Sequence, residues 1–191
     1  MSRRRTLRRV GVLVLAANVA LVLAKGSVYF GTGSLAVGSE AVNSLADSAY
    51  SLVIVAGLYL TTQPPDFEHP HGHERIEPFV SLFVALGIFA AGGAVLWQAG
   101  TTLLSGSIAV SRGPAAAAVL VASGAVKYLL YRYCLRVAED NNSPALAATA
   151  LDNRNDIVTG GAALVGVVGA TAGYPILDPF AAGIVRIIRG A

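Results

Sequence analysis

The chain has 191 residues, of which 54% are hydrophobic and only 13% are charged. Its mean hydropathy of +0.62 is too high for an ordinary soluble domain and predicts an integral membrane protein. The formal net charge is only +3, and no nucleic-acid partner is expected. Because Cys134 is the single cysteine, a disulfide within the chain is excluded, and the cysteine content does not imply an oxidising compartment.

The N-terminus is strongly basic. Five arginines occur in the first nine residues, MSRRRTLRR, and a basic segment before an apolar run is typical of a cytoplasmic N-terminus. We therefore predict a basic cytoplasmic segment at 1–8 and a multi-pass transmembrane domain at 9–191. A cleaved signal peptide is the alternative, but the apolar run is too long and has no obvious cleavage site.

The apolar runs predict an all-α fold, a six-helix transmembrane bundle. A membrane-spanning helix needs about 20 mostly apolar residues, and polar, glycine and proline breaks divide the chain into six candidates. In order, these spans are 9–29, 34–62, 77–104, 114–137, 144–170 and 176–191. The last span has sixteen residues interrupted by Pro179, so we expect it to be short or truncated.

The second span carries a polar stripe in SEAVNSLADSAYS, residues 39–51. Asn43 and Asp47 are four residues apart, which places them on one helix face. Glu40 lies on the same stripe, one turn earlier. This span therefore offers a pair of oxygen ligands at one depth in the membrane.

The loop between the second and third spans, QPPDFEHPHGHERIE, contains all three histidines of the chain. Imidazole and carboxylate groups suit zinc and other first-row metals. The loop therefore predicts a second, peripheral metal site. The alternative is a solvated loop in which the histidines have no joint role.

The fifth span contains the polar run DNRND, residues 152–156. Its apolar flanks, 144–151 and 157–170, have eight and fourteen residues, and each is too short to cross a bilayer separately. We therefore predict one helix with a polar middle rather than a loop between two spans. Asp152 and Asp156 are four residues apart and share a face of that helix.

The two polar stripes together predict a cation site. Ionisable groups within a membrane are costly and mark ion pathways. Clustered carboxylates without a positive partner repel each other, and a divalent metal neutralises them. The predicted ligands are Asn43, Asp47, Asp152 and Asp156.

A structural polar network is the alternative interpretation. Arg154 is a poor partner for both aspartates because it projects about 200° away from them on the helix, and we expect it to face Asp178 or a neighbouring helix. Lys25 and Lys127 are expected to be structural residues that snorkel or pair with an acidic neighbour such as Glu40.

Three stretches, GSLAVGSEAVNSLADSAYSLV, QPPDFEHPHGHERIE and DNRNDIVTGG, resemble the cation diffusion facilitator family of divalent-metal transporters in order and spacing. The resemblance covers essentially the whole chain as the family's six-helix membrane domain. It implies a transport site at Asn43, Asp47, Asp152 and Asp156. It also implies a loop site at Asp66, His69 and His73, and places Arg75 where a basic residue helps lock the dimer in some members.

The resemblance implies a secondary transporter that exports a divalent metal by alternating access, in exchange for protons, as a homodimer in the bilayer. The metal is then the transported substrate rather than a cofactor. Zinc-selective members have a histidine where this chain has Asp152. The resulting all-oxygen ligand set favours Mn²⁺, with Zn²⁺, Fe²⁺ and Co²⁺ as alternatives.

Two other functions remain open from the sequence. Family members usually continue into a cytosolic metal-binding domain, and no residue follows Ala191 here, so an inactive or regulatory membrane fragment is one alternative. A membrane-embedded metalloenzyme is the other. It is disfavoured because three histidines are few for such a site and no H-E-x-x-H motif is present.

Overall fold

The computed structural model describes residues 3–60, 113–174 and 176–181, with isolated residues between 86 and 104. Its four long helices are α1 (Arg3–Thr32), α2 (Leu35–Leu60), α3 (Gly113–Asn141) and α4 (Pro144–Thr171). A short helical segment follows at 177–181, and the part of the chain that is described contains no strand. The prediction of an all-α fold is confirmed.

The four long helices match the first, second, fourth and fifth predicted spans to within a few residues. The largest difference is at the start of α1, which begins at Arg3 rather than at residue 9. Arginine is a good helix former, so the helix continues through the basic segment. Most of the third and sixth predicted spans lies outside the described residues.

The DNRND run lies inside α4, which is continuous from Pro144 to Thr171. The prediction of one helix with a polar middle is therefore confirmed, and the loop alternative is wrong. Ser143 caps this helix, since its Oγ accepts a hydrogen bond from the Leu146 N–H at 3.4 Å. Pro144 occupies the first turn, where a missing N–H costs nothing.

Short turns make the helices into two antiparallel hairpins, α1–α2 and α3–α4. Gly33 adopts a φ of +70° between α1 and α2, and its N–H bonds to the Tyr29 carbonyl at 2.8 Å. Asn142 adopts a φ of 47° between α3 and α4. Both residues take the left-handed conformation that often ends a helix. α1 also packs on α3, and α2 on α4, so the two hairpins enclose a common interior.

Two apolar clusters occupy opposite ends of this interior. The first lies where α1 and α4 begin and α3 ends, and is formed by Val10, Val14, Leu130, Cys134, Val137, Ala138, Leu146 and Ala150. The second lies where α2 and α3 begin and α4 ends, and is formed by Ala36, Val37, Ala116, Leu120, Ala163, Val167 and Ala181. Polar side chains are enclosed between these clusters.

The distribution of polar and apolar groups is the reverse of that in a soluble protein. Phe30, Leu23 and Val165 are 87%, 68% and 68% exposed, whereas Lys25 and Glu40 are each 1% exposed. Lipid contact explains such an exposed apolar surface. Among the described residues, Arg5–Thr32 and Gly113–Asn141 are long and apolar enough to cross a bilayer.

The segment 177–181 is held against α2 by one buried carboxylate. Asp178 accepts hydrogen bonds from the Ser34 hydroxyl at 2.6 Å and from the Leu35 N–H at 2.7 Å. A third, from the Ala36 N–H, measures 3.4 Å. The carboxylate therefore satisfies free N–H groups at the start of α2, where a negative charge is also favoured by the helix dipole.

Close approach of the same segment to α4 depends on glycine. A Cβ atom at Gly166 would overlap Ala181, and one at Gly169 would overlap Leu177. The segment therefore packs directly on the α4 backbone while its carboxylate caps α2.

We predict that Asp178→Ala lowers the free energy of unfolding by about 1–3 kcal/mol, because it removes a helix cap and leaves a buried hydroxyl without its acceptor. Thermal unfolding of the detergent-solubilised protein, followed by circular dichroism, measures the effect. Asp140→Ala removes an exposed carboxylate and is the control. Equal melting temperatures for the two variants would contradict the assigned role of Asp178.

Candidate metal-transport site

Each of the four long helices contributes one side chain to an ionic cluster in the interior, which we call the Lys127 cluster: Asn18, Asp47, Lys127 and Asp156. The Lys127 Nζ lies 2.7 Å from Oδ2 of Asp47 and 2.7 Å from Oδ2 of Asp156. It also donates a hydrogen bond to Oδ1 of Asn18 at 2.9 Å. The contacts with Asn18 and Asp47 are hydrogen bonds, and the contact with Asp156 is an ion pair.

A second layer of hydrogen bonds holds the cluster on the α1–α2 side. The Asn18 amide donates to the Ser51 Oγ at 3.1 Å, and that hydroxyl donates to the Asp47 carbonyl oxygen at 2.7 Å. Ser51 lies one turn after Asp47 on α2. The periodicity of the polar stripe therefore places Asp47 and Ser51 on the same face of α2.

The structure brings Asp47 and Asp156 together from two helices. Their Oδ2 atoms contact the same nitrogen, each at 2.7 Å. Asp152 lines the small cavity beside them but is itself exposed. Asn43 is buried, one turn before Asp47, and is not among the described residues that line this cavity.

Two further observations concern the predicted metal ligands. Within the described ranges, no group of three or more histidine, cysteine, aspartate or glutamate side chains is placed to hold a metal. The predicted loop site, Asp66, His69 and His73, lies outside the described residues, as does Arg75.

The expectation that the carboxylates meet without a positive partner is wrong, because Lys127 lies between Asp47 and Asp156. A sequence signal for this role existed. The residues of α3 that face the interior recur at helical spacing, and Lys127 falls on that series: Ala116, Leu120, Ser123, Lys127, Leu130 and Cys134. A lysine on the interior face of a bundle needs an acidic partner on another helix.

A second ionic contact joins α1 to α2. The Lys25 Nζ lies 2.8 Å from Oε2 of Glu40 and donates to the Ser44 Oγ at 3.0 Å. Both charged side chains are 1% exposed. The expected pairing of Lys25 with Glu40 is confirmed, and it leaves a neutral pair.

Arg154 takes no part in either ionic contact. It is exposed on α4 and forms no ion pair within the part of the chain that the structure describes. Asp178 caps the start of α2, so the expectation that Arg154 faces Asp178 is wrong. The cation that contacts Asp156 of α4 is Lys127 of α3.

Two adjoining cavities lie beside the Lys127 cluster. A cavity of about 20 Å³ is lined by the cluster, Tyr50, Asp152 and Asn153, which is room for about one water molecule. A cavity of about 90 Å³ lies nearer the end where α1 and α4 begin, lined by Leu7 and Gly11 among others. The two cavities share Val14, Ser51 and Thr149.

Residues 11–188 match the sequence model of the cation efflux transmembrane domain. The chain belongs to the cation diffusion facilitator family. Members of this family are membrane-embedded transporters and not enzymes. The resemblance seen in the sequence is confirmed, and the metalloenzyme alternative is set aside.

Curated relatives cover most of the chain. It is 33% identical over 168 residues to the magnetosome protein MamB of Magnetospirillum gryphiswaldense. The aligned region covers 87% of the chain and 56% of MamB. It is 33% identical over 173 residues to the manganese efflux system protein MneP of Bacillus subtilis, and this region covers 90% of the chain and 57% of MneP. Metal tolerance protein C1 of Arabidopsis thaliana is 31% identical over 186 residues, 88% of the chain and 39% of that protein. The chain thus spans about half the length of MamB and MneP.

We predict that Glu40→Ala lowers the free energy of unfolding by about 3–5 kcal/mol, because it leaves the Lys25 ammonium buried without its counter-ion. The double variant Lys25→Met/Glu40→Leu should regain most of this loss, since it removes both charges. Thermal unfolding in detergent measures both effects. A double variant no more stable than Glu40→Ala would show that the pair does more than neutralise charge.

Proposed function

We propose that this chain is the membrane domain of a secondary transporter that exports a divalent transition-metal cation, with Mn²⁺ as the favoured substrate. The observation that carries the proposal is the convergence of Asp47 and Asp156 from two helices on one cationic atom. Carboxylates are costly in an apolar interior unless they serve a cation. Membership of a family of cation transporters supports the same function.

Asn43 and Asp152 complete the proposed ligand set. Each lies one turn from a carboxylate of the Lys127 cluster and on the same helix face. Such a set offers only oxygen atoms, which suit manganese better than the softer ligands typical of zinc sites. The relatives named as manganese efflux proteins, MneP and MneS of Bacillus subtilis, support Mn²⁺. Irving–Williams affinities still leave Zn²⁺, Fe²⁺ and Co²⁺ as competitors.

The proposed topology has six spans with both ends of the chain in the cytoplasm. The adjoining cavities extend from the Lys127 cluster towards the end where α1 and α4 begin, which is the cytoplasmic end in this topology. The position of these cavities is consistent with loading of the metal from the cytoplasm. Rocking of the helices would then open the site to the opposite side, as in other secondary transporters.

Protons are the proposed counter-substrate. Metal binding to carboxylates requires that they be ionised, so it competes with protons at the same oxygens. We further propose a homodimer in which the loop residues Asp66, His69 and His73 bind a second metal near Arg75. The similarity of this loop to the family pattern supports that assignment.

The first test is metal uptake into proteoliposomes. We predict that Asp156→Asn lowers the initial rate of Mn²⁺ uptake under a proton gradient at least about tenfold, because the amide removes a charged ligand while keeping its shape. Asp140→Asn, at an exposed position, is the matched control. Equal rates for Asp156→Asn and the unaltered chain would remove Asp156 from the site.

The second test concerns metal choice. We predict that Asp152→His raises the ratio of Zn²⁺ to Mn²⁺ uptake, because imidazole favours zinc over the harder manganese ion. The same assay with competing metals measures the ratio. Asp140→His introduces an imidazole outside the site and should leave the ratio unchanged. An unchanged ratio in Asp152→His would contradict a ligand role for Asp152.

A further inference from the structure

Lys127 is a buried cation that the proposed transport function does not use. Its side chain is 3% exposed, and its ammonium lies between the two carboxylates that would hold the metal. The contact to Asp47 is a hydrogen bond of 2.7 Å, at the short end of the charge-assisted range, and the contact to Asp156 is an ion pair of 2.7 Å. The position that a dication would need is thus filled by the chain itself.

We propose that Lys127 is a tethered counter-cation: its ammonium occupies the transport site when no metal is bound, and a divalent cation binds by displacing it. The inference rests on the proposed function, because the two carboxylates are the same. It goes beyond that function by assigning to α3 a residue that sets how strongly the site holds a metal.

The Lys127 ammonium and a dication cannot both occupy the position between the two Oδ2 atoms. Zinc, for example, binds carboxylate oxygen at about 2.0–2.2 Å, so an ion shared by Asp47 and Asp156 would lie in the space that the Lys127 Nζ now fills. The two cations would also repel each other strongly in an apolar interior. One of them must leave the carboxylates.

Space and a hydrogen-bond acceptor are available for the displaced ammonium beside its present position. The lysine side chain is a flexible four-carbon chain with a compact charge, and a cavity of about 20 Å³ adjoins it. Asn18 already accepts one of its hydrogen bonds at 2.9 Å and belongs to α1, whereas the carboxylates belong to α2 and α4. Asn18 and a water molecule in the cavity would satisfy the ammonium after displacement.

Lys127 would also discriminate between cations. A tethered group acts at a high effective concentration, so a monovalent ion from solution competes poorly with an ammonium of equal charge. A dication brings twice the charge to the same two carboxylates. Lys127 thus favours divalent over monovalent ions at the cost of weaker metal binding.

The other buried lysine supplies a matched control. Lys25 is as deeply buried as Lys127, but its partner is Glu40 rather than Asp47 or Asp156. Lys25→Met therefore removes the same kind of side chain from the same bundle without emptying the transport site.

The experiment is calorimetric titration of the purified full chain with Mn²⁺ at pH 8. We expect about a tenfold lower Kd for Lys127→Met and Lys127→Gln than for the unaltered chain, because the metal no longer breaks charge-assisted hydrogen bonds. Lys25→Met should keep its Kd within about twofold. An equal or higher Kd for both Lys127 variants would overturn the proposal.

Thermal unfolding in EDTA and in Mn²⁺ provides a second readout. The Lys127 variants should melt earlier than the unaltered chain in EDTA and gain more from Mn²⁺, since the metal replaces the missing charge. Lys25→Met should lose stability that Mn²⁺ does not restore. Lys127 variants that fail to fold even with Mn²⁺ would overturn the proposal, because a dication then cannot take the place of the ammonium.

The same data separate this inference from the proposed function. If the unaltered chain binds Mn²⁺, Asp156→Asn does not and the Lys127 variants bind no tighter, only the counter-cation role fails. If neither the unaltered chain nor the Lys127 variants bind Mn²⁺, Zn²⁺, Fe²⁺ or Co²⁺, the transport site itself fails, and the inference with it.

Discussion

The contact of the Lys127 ammonium with two carboxylates and one amide is the interaction on which the interior of this protein depends. Each of the three ionised groups would be costly alone in an apolar bundle, and removal of one member leaves the others unpaired. Asn18, Asp47, Lys127 and Asp156 come from α1, α2, α3 and α4 respectively. Because each long helix must turn one side chain towards this contact, the contact fixes the rotation of every long helix about its own axis. It also fixes the depth at which the four helices meet.

The two ionic contacts in the interior differ in charge balance. Lys25 and Glu40 form a one-to-one pair between α1 and α2, which is neutral and leaves no demand for a further ion. The Lys127 cluster holds two carboxylates against one ammonium, with Asp152 lining the same cavity. Among the described residues, carboxylates therefore outnumber ammonium groups in this cluster and not in the Lys25 pair. This difference is the reason why the proposed exchangeable cation is assigned to the Lys127 cluster rather than to the Lys25 pair.

The sequence predicted the helices well because apolar length and polar periodicity are local properties. The continuity of α4 was predictable because the apolar segments on either side of the DNRND run are too short to cross a bilayer separately. The approach of Asp47 to Asp156 was predictable because each lies on a polar stripe of its helix. Pairing of Lys127 with an acidic neighbour was one of the sequence-based alternatives, but its two partners were not identified. They lie about 80 and 30 residues away along the chain, and only packing shows that α3 places Lys127 between them. Asp152 shares a helix face with Asp156, as predicted, and lines the same cavity, but its side chain is exposed.

The position of the Lys127 cluster relates the fold to the proposed transport cycle. The hairpin partners α1 and α2 pack extensively on each other, as do α3 and α4, whereas contacts between the hairpins are fewer. The cluster joins Asn18 and Asp47 of one hairpin to Lys127 and Asp156 of the other. Exchange of the ammonium for a dication would change the bond between the hairpins and leave the packing within each hairpin intact. Binding at this boundary can therefore change the relative position of the two hairpins. Alternating access requires substrate binding to have such an effect.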